Sequence, residues 1–276
     1  MTVTTAPILV TGGTGTLGRH VVPLLREAGR TVRVLSRHGR ESGDGIAYVT
    51  ADLFRDEGIE AAVDGVEIVL HLAGGPKGDD VATENLVRAA SAAGVKHLVY
   101  VSVIGSDTLP LAWLRSKLNA ERAIAGSGIP WTTLRAAQFH DLALTVVEKT
   151  AKLPVIPVPG GLRLQPVDAR EVAARLVHLT LGEPAGLVPD LAGPKVYGIA
   201  ELSRGYLKAR GKQRLMMPVR MPGKAGRAYR AGENLSLDGA DVGRRTWEDF
   251  LTERVGRPAC TGEGNPAAHT ETRSNP

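Results

Sequence analysis

Two side chains in the middle of the chain could take part in proton transfer. Lys117 lies four residues after Trp113, a spacing that places both on one face of a helix. Lys117 could donate a proton if the fold removes it from water. His140, beside Asp141, has an intrinsic pKa that suits acid or base chemistry near pH 7. The alternative is that His140 caps the following helix or faces solvent.

A glycine-rich turn near the N-terminus predicts a site for the pyrophosphate of a dinucleotide. The stretch ILVTGGTGTLGRH joins an apolar strand to a helical pattern, and its glycines fit both GxxGxxG and GxGxxG. Such a turn lets the backbone approach a pyrophosphate, which then faces the N–H groups at the helix N-terminus. The alternative is a glycine-rich turn without a ligand. The predicted cofactor-binding residues of the turn are Gly12, Thr14, Gly15, Thr16, Leu17 and Gly18.

The ends of the following strands predict which dinucleotide is bound. An NAD site would place Asp or Glu after the second strand, but the sequence VLSRHGR supplies Arg37. A guanidinium suits a 2′-phosphate, so we predict NADP(H); the alternative is that Arg37 is an ordinary surface residue. Asp52 could accept a hydrogen bond from the adenine amino group. His71 is expected to be packed in its strand and not catalytic.

These residues need elements that bring them to one edge of a sheet. Over the first 135 residues, runs rich in Val, Ile and Leu predict the strands Ile8–Thr11, Thr31–Ser36, Ala47–Thr50, Ile68–Leu72, Leu98–Val103 and Trp131–Arg135. The helices predicted between them are Leu17–Ala28, Gly58–Val63, Asp80–Ala93 and Leu114–Ala125. Repeated strand–helix units imply parallel strands with right-handed crossovers. We therefore predict an α/β fold with a doubly wound parallel sheet of the Rossmann type.

After Arg135 the pattern changes, and we divide the chain there. Residues 1–135 are predicted to form the dinucleotide-binding core. Residues 136–256 are predicted to form a small substrate-binding α/β cap, built on the C-terminal edge of the sheet and integrated with the core. The cap helices predicted are Phe139–Lys152, Asp168–Leu181 with Asp168 as N-cap, and Ile199–Arg210. The polar tail 257–276 is predicted to be disordered.

Composition excludes several classes of protein. The 276 residues are 43% hydrophobic and 23% charged, which is enough for a packed core and ordinary for a globular protein. No apolar run approaches the ~18 residues of a membrane-spanning helix, and no signal peptide is recognisable, so we expect no membrane partner and a cytoplasmic location. The single cysteine, Cys260, is expected to be a bystander thiol. No metal site is predicted, and we expect a monomer or homodimer.

A basic segment lies in the second half of the chain. From Arg204 to Arg230 there are nine Lys and Arg residues and no Asp or Glu. The segment could bind an acidic partner or nucleic acid. We favour a solvated side of two helices and a loop, because Tyr206 and Tyr229 alone are poor stacking platforms. The expected partner is therefore a small-molecule substrate and not nucleic acid.

Together these residues resemble the NmrA-like branch of the atypical short-chain dehydrogenase/reductase superfamily. The resemblance covers about residues 7–250. It rests on TGGTGTLGR, LSR at 35–37, ADL at 51–53, HLAG at 71–74, VSVIG at 101–105, the Lys117 helix and PWTTLRAAQFHD at 130–141. The contacts it implies are Gly12, Gly15 and Gly18 with the pyrophosphate, Arg37 with the 2′-phosphate, Asp52 and Leu53 with adenine, Ala73 and Gly74 with a cofactor ribose, Ser102 beneath the nicotinamide, Lys117 with the nicotinamide ribose, and Gln138 and Phe139 between nicotinamide and substrate.

The chain departs from this family at Trp113. The catalytic pattern of the superfamily has a tyrosine four residues before the lysine, whose charge makes the phenol a usable acid or base. An indole N–H can donate a hydrogen bond but cannot release its proton at any useful pH. Ketone reduction by a tyrosine–lysine pair and sugar-nucleotide epimerisation therefore both lack their standard acid.

Two functions are compatible with these residues. The first is an NADPH-dependent reductase of a small conjugated or aromatic carbonyl, quinone or imine, an acceptor that needs little help from a proton donor. His140 or Lys117 would serve as the acid, and Trp113, Phe139 and His140 would contact the substrate. The alternative is a non-catalytic NADP(H)-binding protein that senses redox state, which the missing tyrosine favours. We favour the reductase, because FHD at 139–141 places a titratable residue where a substrate would sit.

Overall fold

Strands and helices alternate along the described residues, 6–75 and 77–255, of the computed structural model. The strands are β1 (Ile8–Thr11), β2 (Val32–Ser36), β3 (Ile46–Thr50), β4 (Ile68–His71), β5 (His97–Val103), β6 (Trp131–Ala136), β7 (Val155–Pro159), β8 (Arg163–Leu164), β9 (Gly186–Leu187), β10 (Leu191–Ala192), β11 (Tyr197–Gly198), β12 (Leu215–Val219) and β13 (Asp241–Val242). The helices are α1 (Gly18–Glu27), α2 (Ile59–Val63), α3 (Asp79–Ala92), α4 (Ala112–Ala125), α5 (His140–Thr150), α6 (Ala169–Leu181), α7 (Ile199–Ala209), α8 (Gly223–Ala231) and α9 (Trp247–Val255). Every strand and helix expected within the first 135 residues is present, with small shifts at the ends.

The main sheet is parallel throughout. Its order is β3-β2-β1-β4-β5-β6-β10-β13, and β9 also pairs with β6. The direction of winding reverses between β1 and β4, and in such sheets ligands bind outside the carboxyl ends of the strands at this reversal. The prediction of a doubly wound Rossmann-type α/β fold is confirmed.

The two faces of the sheet bury separate cores. Ile8 and Val10 of β1 join the core that α1 and α6 cover, whereas Leu9 joins the core that α2, α3 and α4 cover. Val21 of α1 and Leu86 of α3 lie in these two cores, and all five side chains are fully buried. Burial of each such side chain contributes about 1.5–3 kcal/mol before entropy is counted. This packing holds the loops at the carboxyl edge in fixed positions.

The division at residue 135 needs correction, because the second part of the chain builds both core and cap. Strands β9, β10 and β13 extend the main sheet beyond β6, and α6 packs beside α1 on its face. The cap itself consists of α5, α7 and α9 around a third core, with a parallel β7–β12 pair and an antiparallel β8–β11 pair. Two-residue strands are too short to give a periodic pattern, so the sequence did not reveal them.

The N-terminus of α6 is tied to the segment before α9. Asp168 is the N-cap, as predicted, and its Oδ1 accepts the backbone N–H of Arg170. Burial raises the pKa of Asp168, but hydrogen bonds from Arg170 and Arg245 outweigh that effect and lower it to about 2. Glu171 does not complete a capping box; its carboxylate accepts the backbone N–H groups of Arg244 and Arg245.

Two expectations concern membrane spans and the C-terminal tail. Among residues 6–75 and 77–255, no helix combines the length and hydropathy needed to cross a bilayer. The tail predicted at 257–276, with Cys260, lies outside the described residues.

Candidate cofactor and substrate cleft

A cleft of about 1120 Å³ runs along the carboxyl ends of the parallel strands. All of the predicted site residues line it except Gly18 and His140. The lining residues that the sequence identified are Gly12, Thr14, Gly15, Thr16, Leu17, Arg37, Asp52, Leu53, Ala73, Gly74, Ser102, Trp113, Lys117, Gln138 and Phe139. The fold therefore brings together, at one edge, residues that are spread over more than 120 positions of sequence.

The glycine turn is shaped by close backbone contacts. Gly12 has φ +68°, and a Cβ there would lie 2.7 Å from the backbone nitrogen of Ala73. A Cβ at Gly18 would overlap the carbonyl oxygen of Gly12, so Gly18 lets α1 approach the turn and does not itself face the cleft. Thr16 and Leu17 line the cleft just before α1. The first N–H groups of a helix lack intrahelical partners, so this end of the cleft suits an anion.

Three cations line the same cleft as the glycine turn. Arg37 follows β2 and is exposed in the cleft wall. Arg55 and Lys77 also line the cleft, and the sequence did not single them out because neither belongs to a motif. The pairing of Ser36 with Thr50 places the loop after β2 beside the loop after β3. This end of the cleft can therefore receive a phosphate in addition to the pyrophosphate.

The loop after β3 is held in shape by its own side chains. Asp52 Oδ1 accepts the backbone N–H groups of Phe54 at 2.9 Å and Arg55 at 3.1 Å. Asn85 on α3 donates from Nδ2 to the carbonyl oxygen of Leu53 at 2.9 Å. One carboxylate oxygen of Asp52 is therefore used within the loop, and the other is left for the predicted contact with adenine.

A buried ion pair lies in the cleft wall. Lys117 Nζ is 2.9 Å from Asp79 Oδ2, and the two side chains are only 11% and 7% exposed. Asp79 Oδ1 accepts the backbone N–H of Gly75 at 2.7 Å. A Cβ at Gly74 would lie 2.7 Å from Lys117 Nζ and 3.3 Å from Asp79 Oδ2, so a larger residue at position 74 would crowd the ion pair. The sequence did not identify Asp79, although its place in the first turn of α3 directly after HLAGG was a usable signal.

A chain of hydrogen bonds through Thr11, His71 and Thr83 holds the loop after β4 in place. Thr83 Oγ1 donates to the carbonyl oxygen of Asp79 at 2.6 Å and contacts His71 Nε2 at 3.0 Å. Thr11 Oγ1 accepts the backbone N–H of Ala73 at 3.1 Å and contacts His71 Nδ1 at 2.6 Å. Because the Thr83 proton is already used, Nε2 carries the imidazole proton and Nδ1 accepts from Thr11.

This arrangement explains why His71 is structural. Burial and the nearby charge of Lys117 lower the pKa of His71 to about 3, so the ring is neutral. Its ring stacks on Tyr100 at 5.2 Å, and Lys117 Nζ lies 5.3 Å from the centroid of Tyr100. His71 is packed in its strand as expected, and it positions the cleft wall without lining the cleft.

The hydroxyl group of Ser102 donates its hydrogen bond to a protein carboxylate and not into the cleft. Its Oγ donates to Glu121, which lies four residues after Lys117 on α4. Glu121 in turn receives two hydrogen bonds from Arg135, from Nε at 3.0 Å and from Nη2 at 2.7 Å. Since the hydroxyl proton is engaged by a carboxylate, Ser102 is poorly placed to donate to a substrate.

The other end of the cleft is apolar. Trp113 lines it at 36% exposed and lies on the cleft side of α4 together with Lys117, as the spacing predicted. Phe139 and Leu142 line the same end. Gln138 Oε1 is buried and has no hydrogen-bond partner among the described residues. A buried acceptor needs a donor, and the amide of a bound ligand could supply one.

The prediction that His140 is catalytic and contacts substrate is wrong in this structure. The side chain is 0% exposed and packs against Phe250 at 5.2 Å and Trp247 at 6.0 Å, away from the cleft. Neither ring nitrogen has a hydrogen-bond partner among the described residues, so it does not cap the helix either. Burial lowers the pKa of His140 to about 4. The cause is the start of α5 at His140, which turns this side chain into the cap core.

The comparison with known families agrees with this geometry. Residues 12–179 match the model of the NAD(P)H-binding family. The chain belongs to that family. The resemblance to the atypical short-chain dehydrogenase/reductase superfamily and the prediction of a nicotinamide dinucleotide cofactor are confirmed at this level.

Individual proteins similar to this chain share about 30% of its residues. The chain is 29% identical to quinone oxidoreductase 2 of Escherichia coli K12 over 217 residues, 75% of each protein. It is 30% identical to (4-alkanoyl-5-oxo-2,5-dihydrofuran-3-yl)methyl phosphate reductase of Streptomyces griseus over 213 residues, 74% of each. It is 29% identical to photosystem II assembly factor Ycf39 of Trieres chinensis over 214 residues, 71% of this chain and 66% of that protein. The E. coli NADPH-dependent quinone oxidoreductase in complex with NADPH has the same fold, with a TM-score of 0.71 at 22% identity over 91% of this chain and 95% of that chain.

Proposed function

We propose that this protein is an NADPH-dependent reductase of a small conjugated or aromatic acceptor such as a quinone, an enone or an imine. The observation that carries the proposal is the pair of residues on the cleft side of α4: Lys117, held by Asp79, lines the cleft, and Trp113 stands four residues before it in place of the usual tyrosine. An activated acceptor suits this arrangement, because its reduction needs little acid catalysis. The similarity to a quinone oxidoreductase and to a second reductase supports it.

The residues present fit NADPH. The turn closed by Gly12 and Gly18 offers a cradle that a side chain would fill, and Arg37, which lines the cleft after β2, carries a guanidinium that suits a 2′-phosphate. Gln138 Oε1 is a buried acceptor without a partner among the described residues, and the nicotinamide amide could donate a hydrogen bond to it. When bound, NADPH supplies a hydride. The residues of the chain orient it and exclude water from the apolar end.

We assign the role of proton donor to Lys117. Its ammonium group can release a proton to the acceptor oxygen or nitrogen after hydride arrives, and solvent can return that proton afterwards. Asp79 holds Nζ in place through the ion pair. Ser102 is a poor competitor, because its hydroxyl already donates its hydrogen bond to the carboxylate of Glu121.

The test is consumption of NADPH at 340 nm with a panel of quinones, enones and imines. We expect turnover by the wild type and a fall in kcat of about 100-fold in Lys117→Ala, the lower end of the range for general acid catalysis, because an activated acceptor needs little help from a proton donor. Lys117→Arg keeps the positive charge but cannot release a proton, so activity lost in this variant would be due to the missing acid and not to the missing charge. His140→Leu is the matched control and should keep its kcat, because His140 lies outside the cleft. Absence of turnover across the panel would contradict the proposal.

The preference for NADPH has its own test. Arg37→Ala should weaken NADPH binding about tenfold or more and leave NADH binding nearly unchanged, because a guanidinium–phosphate pair is lost only for NADPH. Fluorescence titration of both cofactors with both proteins measures this. Tighter binding of NADH than NADPH by the wild type would contradict the assignment.

The second candidate is a non-catalytic NADP(H)-binding protein that reports redox state to a partner. Two observations favour it: Trp113 in place of the usual acid, and similarity to a protein named as an assembly factor. Tight but unequal binding of NADP⁺ and NADPH without turnover of any acceptor would support this function over the reductase.

A further inference from the structure

An exposed apolar strip leads from the cleft mouth across the cap. Leu142 and Val146 lie one turn apart on α5 and are 53% and 43% exposed, and Leu153 follows the helix at 44%. On β12, Leu215 and Met217 are 74% and 55% exposed. We call these five residues the apolar strip. Isolated exposed apolar residues are ordinary, but a continuous set marks an interaction surface.

The two halves of the strip are neighbours. β7 begins two residues after Leu153, and its first residue, Val155, pairs with Leu215 in the parallel β7–β12 ladder. Leu215 and Met217 are two apart on one strand, so they project from the same side. Leu142 also lines the cleft, so the strip begins at the cleft mouth.

Exposed cations flank the apolar strip. Lys149 and Lys152 accompany it at the end of α5, and Lys212, Arg214 and Arg220 stand on either side of β12. None of these five forms an ion pair with a carboxylate of the described residues. Their charges are therefore available to a partner.

Acidic residues are nearly absent from the same surface. No Asp or Glu occurs between Arg204 and Arg230. The two acidic residues of α5 are both paired: Glu148 with Arg210 at 3.9 Å, and Asp141 with Arg254 at 3.3 Å. The surface thus presents positive charge around an apolar centre, with no patch of opposite sign within it.

We propose that this surface docks on an anionic phospholipid bilayer. Leucine and methionine side chains would enter the interface between headgroups and acyl chains, and lysine and arginine would contact lipid phosphates. A second copy of the chain would bring like charges together. Nucleic acid would require stacking residues, which the strip lacks. The proposal revises both the expectation of no membrane partner and the interpretation of residues 204–230 as merely solvated.

Docking in this way would place the cleft mouth at the membrane, since Leu142 belongs to both the apolar strip and the cleft wall. A lipid-soluble acceptor could then enter the cleft from the bilayer. This last step rests on the proposed reductase function, whereas the docking itself does not.

The test is co-sedimentation with vesicles of phosphatidylcholine alone and of phosphatidylcholine mixed with phosphatidylglycerol, without NADPH or acceptor. The charge variant replaces three cations with serine: Lys212, Arg214 and Arg220. The apolar variant is Leu215→Ser with Met217→Ser. The control for charge replaces Arg88, Lys96 and Arg122 with serine, and the control for exposed apolar area is Leu187→Ser with Val242→Ser, at residues 52% and 57% exposed elsewhere on the molecule.

We expect the wild type to bind only the vesicles that contain phosphatidylglycerol and to be released by high salt. Each cation near the surface contributes on the order of fivefold in affinity, so the charge variant should bind on the order of 100-fold more weakly. The apolar variant should bind about tenfold more weakly, and both controls should bind like the wild type.

A second measurement reports on orientation. Lipids brominated on their acyl chains should quench part of the tryptophan fluorescence, and Trp113→Phe should remove most of that quenching. No binding to anionic vesicles, or equal binding by the charge variant and its control, would overturn the proposal. So would light scattering that finds a dimer in the wild type and a monomer in the apolar variant, because the strip would then be covered by a second copy.

Discussion

The region beneath the cleft and the core of the cap each bury a histidine, and the two rings have opposite surroundings. His71 has a threonine hydroxyl at each ring nitrogen. His140 is equally inaccessible, but within the described part of the chain neither of its nitrogens has a hydrogen-bond partner, and the ring lies against Phe250 and Trp247. A buried polar group stabilises only where its hydrogen bonds are made. The ring of His71 therefore has its hydrogen bonds complete, whereas the cap buries a ring whose nitrogens have no partner among the described residues.

The largest expected effect is at His71. His71→Leu leaves the hydroxyls of Thr11 and Thr83 without their shared partner, so the free energy of unfolding should fall by about 3 kcal/mol at pH 7. Urea denaturation of the variant and the wild type measures the difference. The same substitution at His140 is the matched control. If His71→Leu lowers the free energy of unfolding no more than His140→Leu does, the two histidines do not differ in the way proposed.

A smaller effect is expected in the pH dependence. The pKa of His140 is about 4 in the fold against 6.5 in the unfolded chain, so the unfolded chain takes up a proton first as pH falls. Stability is therefore lost below pH 6.5, and His140 accounts for about 2 kcal/mol of the loss by pH 5. His140→Leu should therefore lose about 2 kcal/mol less of its unfolding free energy between pH 7 and pH 5 than the wild type does. The loss that His71 causes should remain in both proteins.

Urea denaturation at pH 7 and pH 5 checks this prediction. Asp168 does not interfere, because its stabilising contribution is lost only as pH falls from its ordinary pKa of 3.8 towards its folded pKa of about 2, which lies below pH 5. His20 and His97, whose pKa values are also lowered by burial, contribute equally to both proteins. An identical loss of stability in wild type and variant would mean that His140 is not held neutral by the cap.

The smallest effect is at His140 under neutral conditions. His140→Leu replaces two unpaired buried nitrogens with methyl groups, so the free energy of unfolding should rise by about 1 kcal/mol at pH 7. Thermal denaturation followed by circular dichroism is sensitive enough for this change. A clear loss of stability would indicate that the ring makes a bond in solution that the aromatic contacts do not reveal.

The sequence predicted the first half of the fold well because each strand–helix segment there combines an apolar run, a turn and a helical pattern that indicate the same structure. Gly12 and Gly18 stand between an apolar strand and a helical pattern, and their spacing is needed by the turn itself. Trp113 and Lys117 reach the cleft together because four residues make about one helical turn. These features depend on local geometry, so they could be derived from neighbouring residues.

The remaining features depend on contacts that local sequence does not encode. His140 directly follows two cleft residues, yet the first turn of α5 directs its side chain into the cap. Asp79 reaches Lys117 across 38 positions, and only the packing of α3 on α4 brings them together. Strand β13 has two residues and joins the sheet through β10. Such contacts follow from tertiary packing, which overrides local pattern.

The parallel pairing of β7 with β12 has a consequence for the order of folding. Its register joins Val155 to Leu215, sixty positions apart, with α6 and α7 between them. A contact that closes so long a loop gains its energy only after the intervening chain has been ordered, so it forms late. We therefore expect a nascent chain to complete its dinucleotide-binding turn well before its apolar strip, and a folding intermediate of this protein to bind cofactor before the surface around β12 exists.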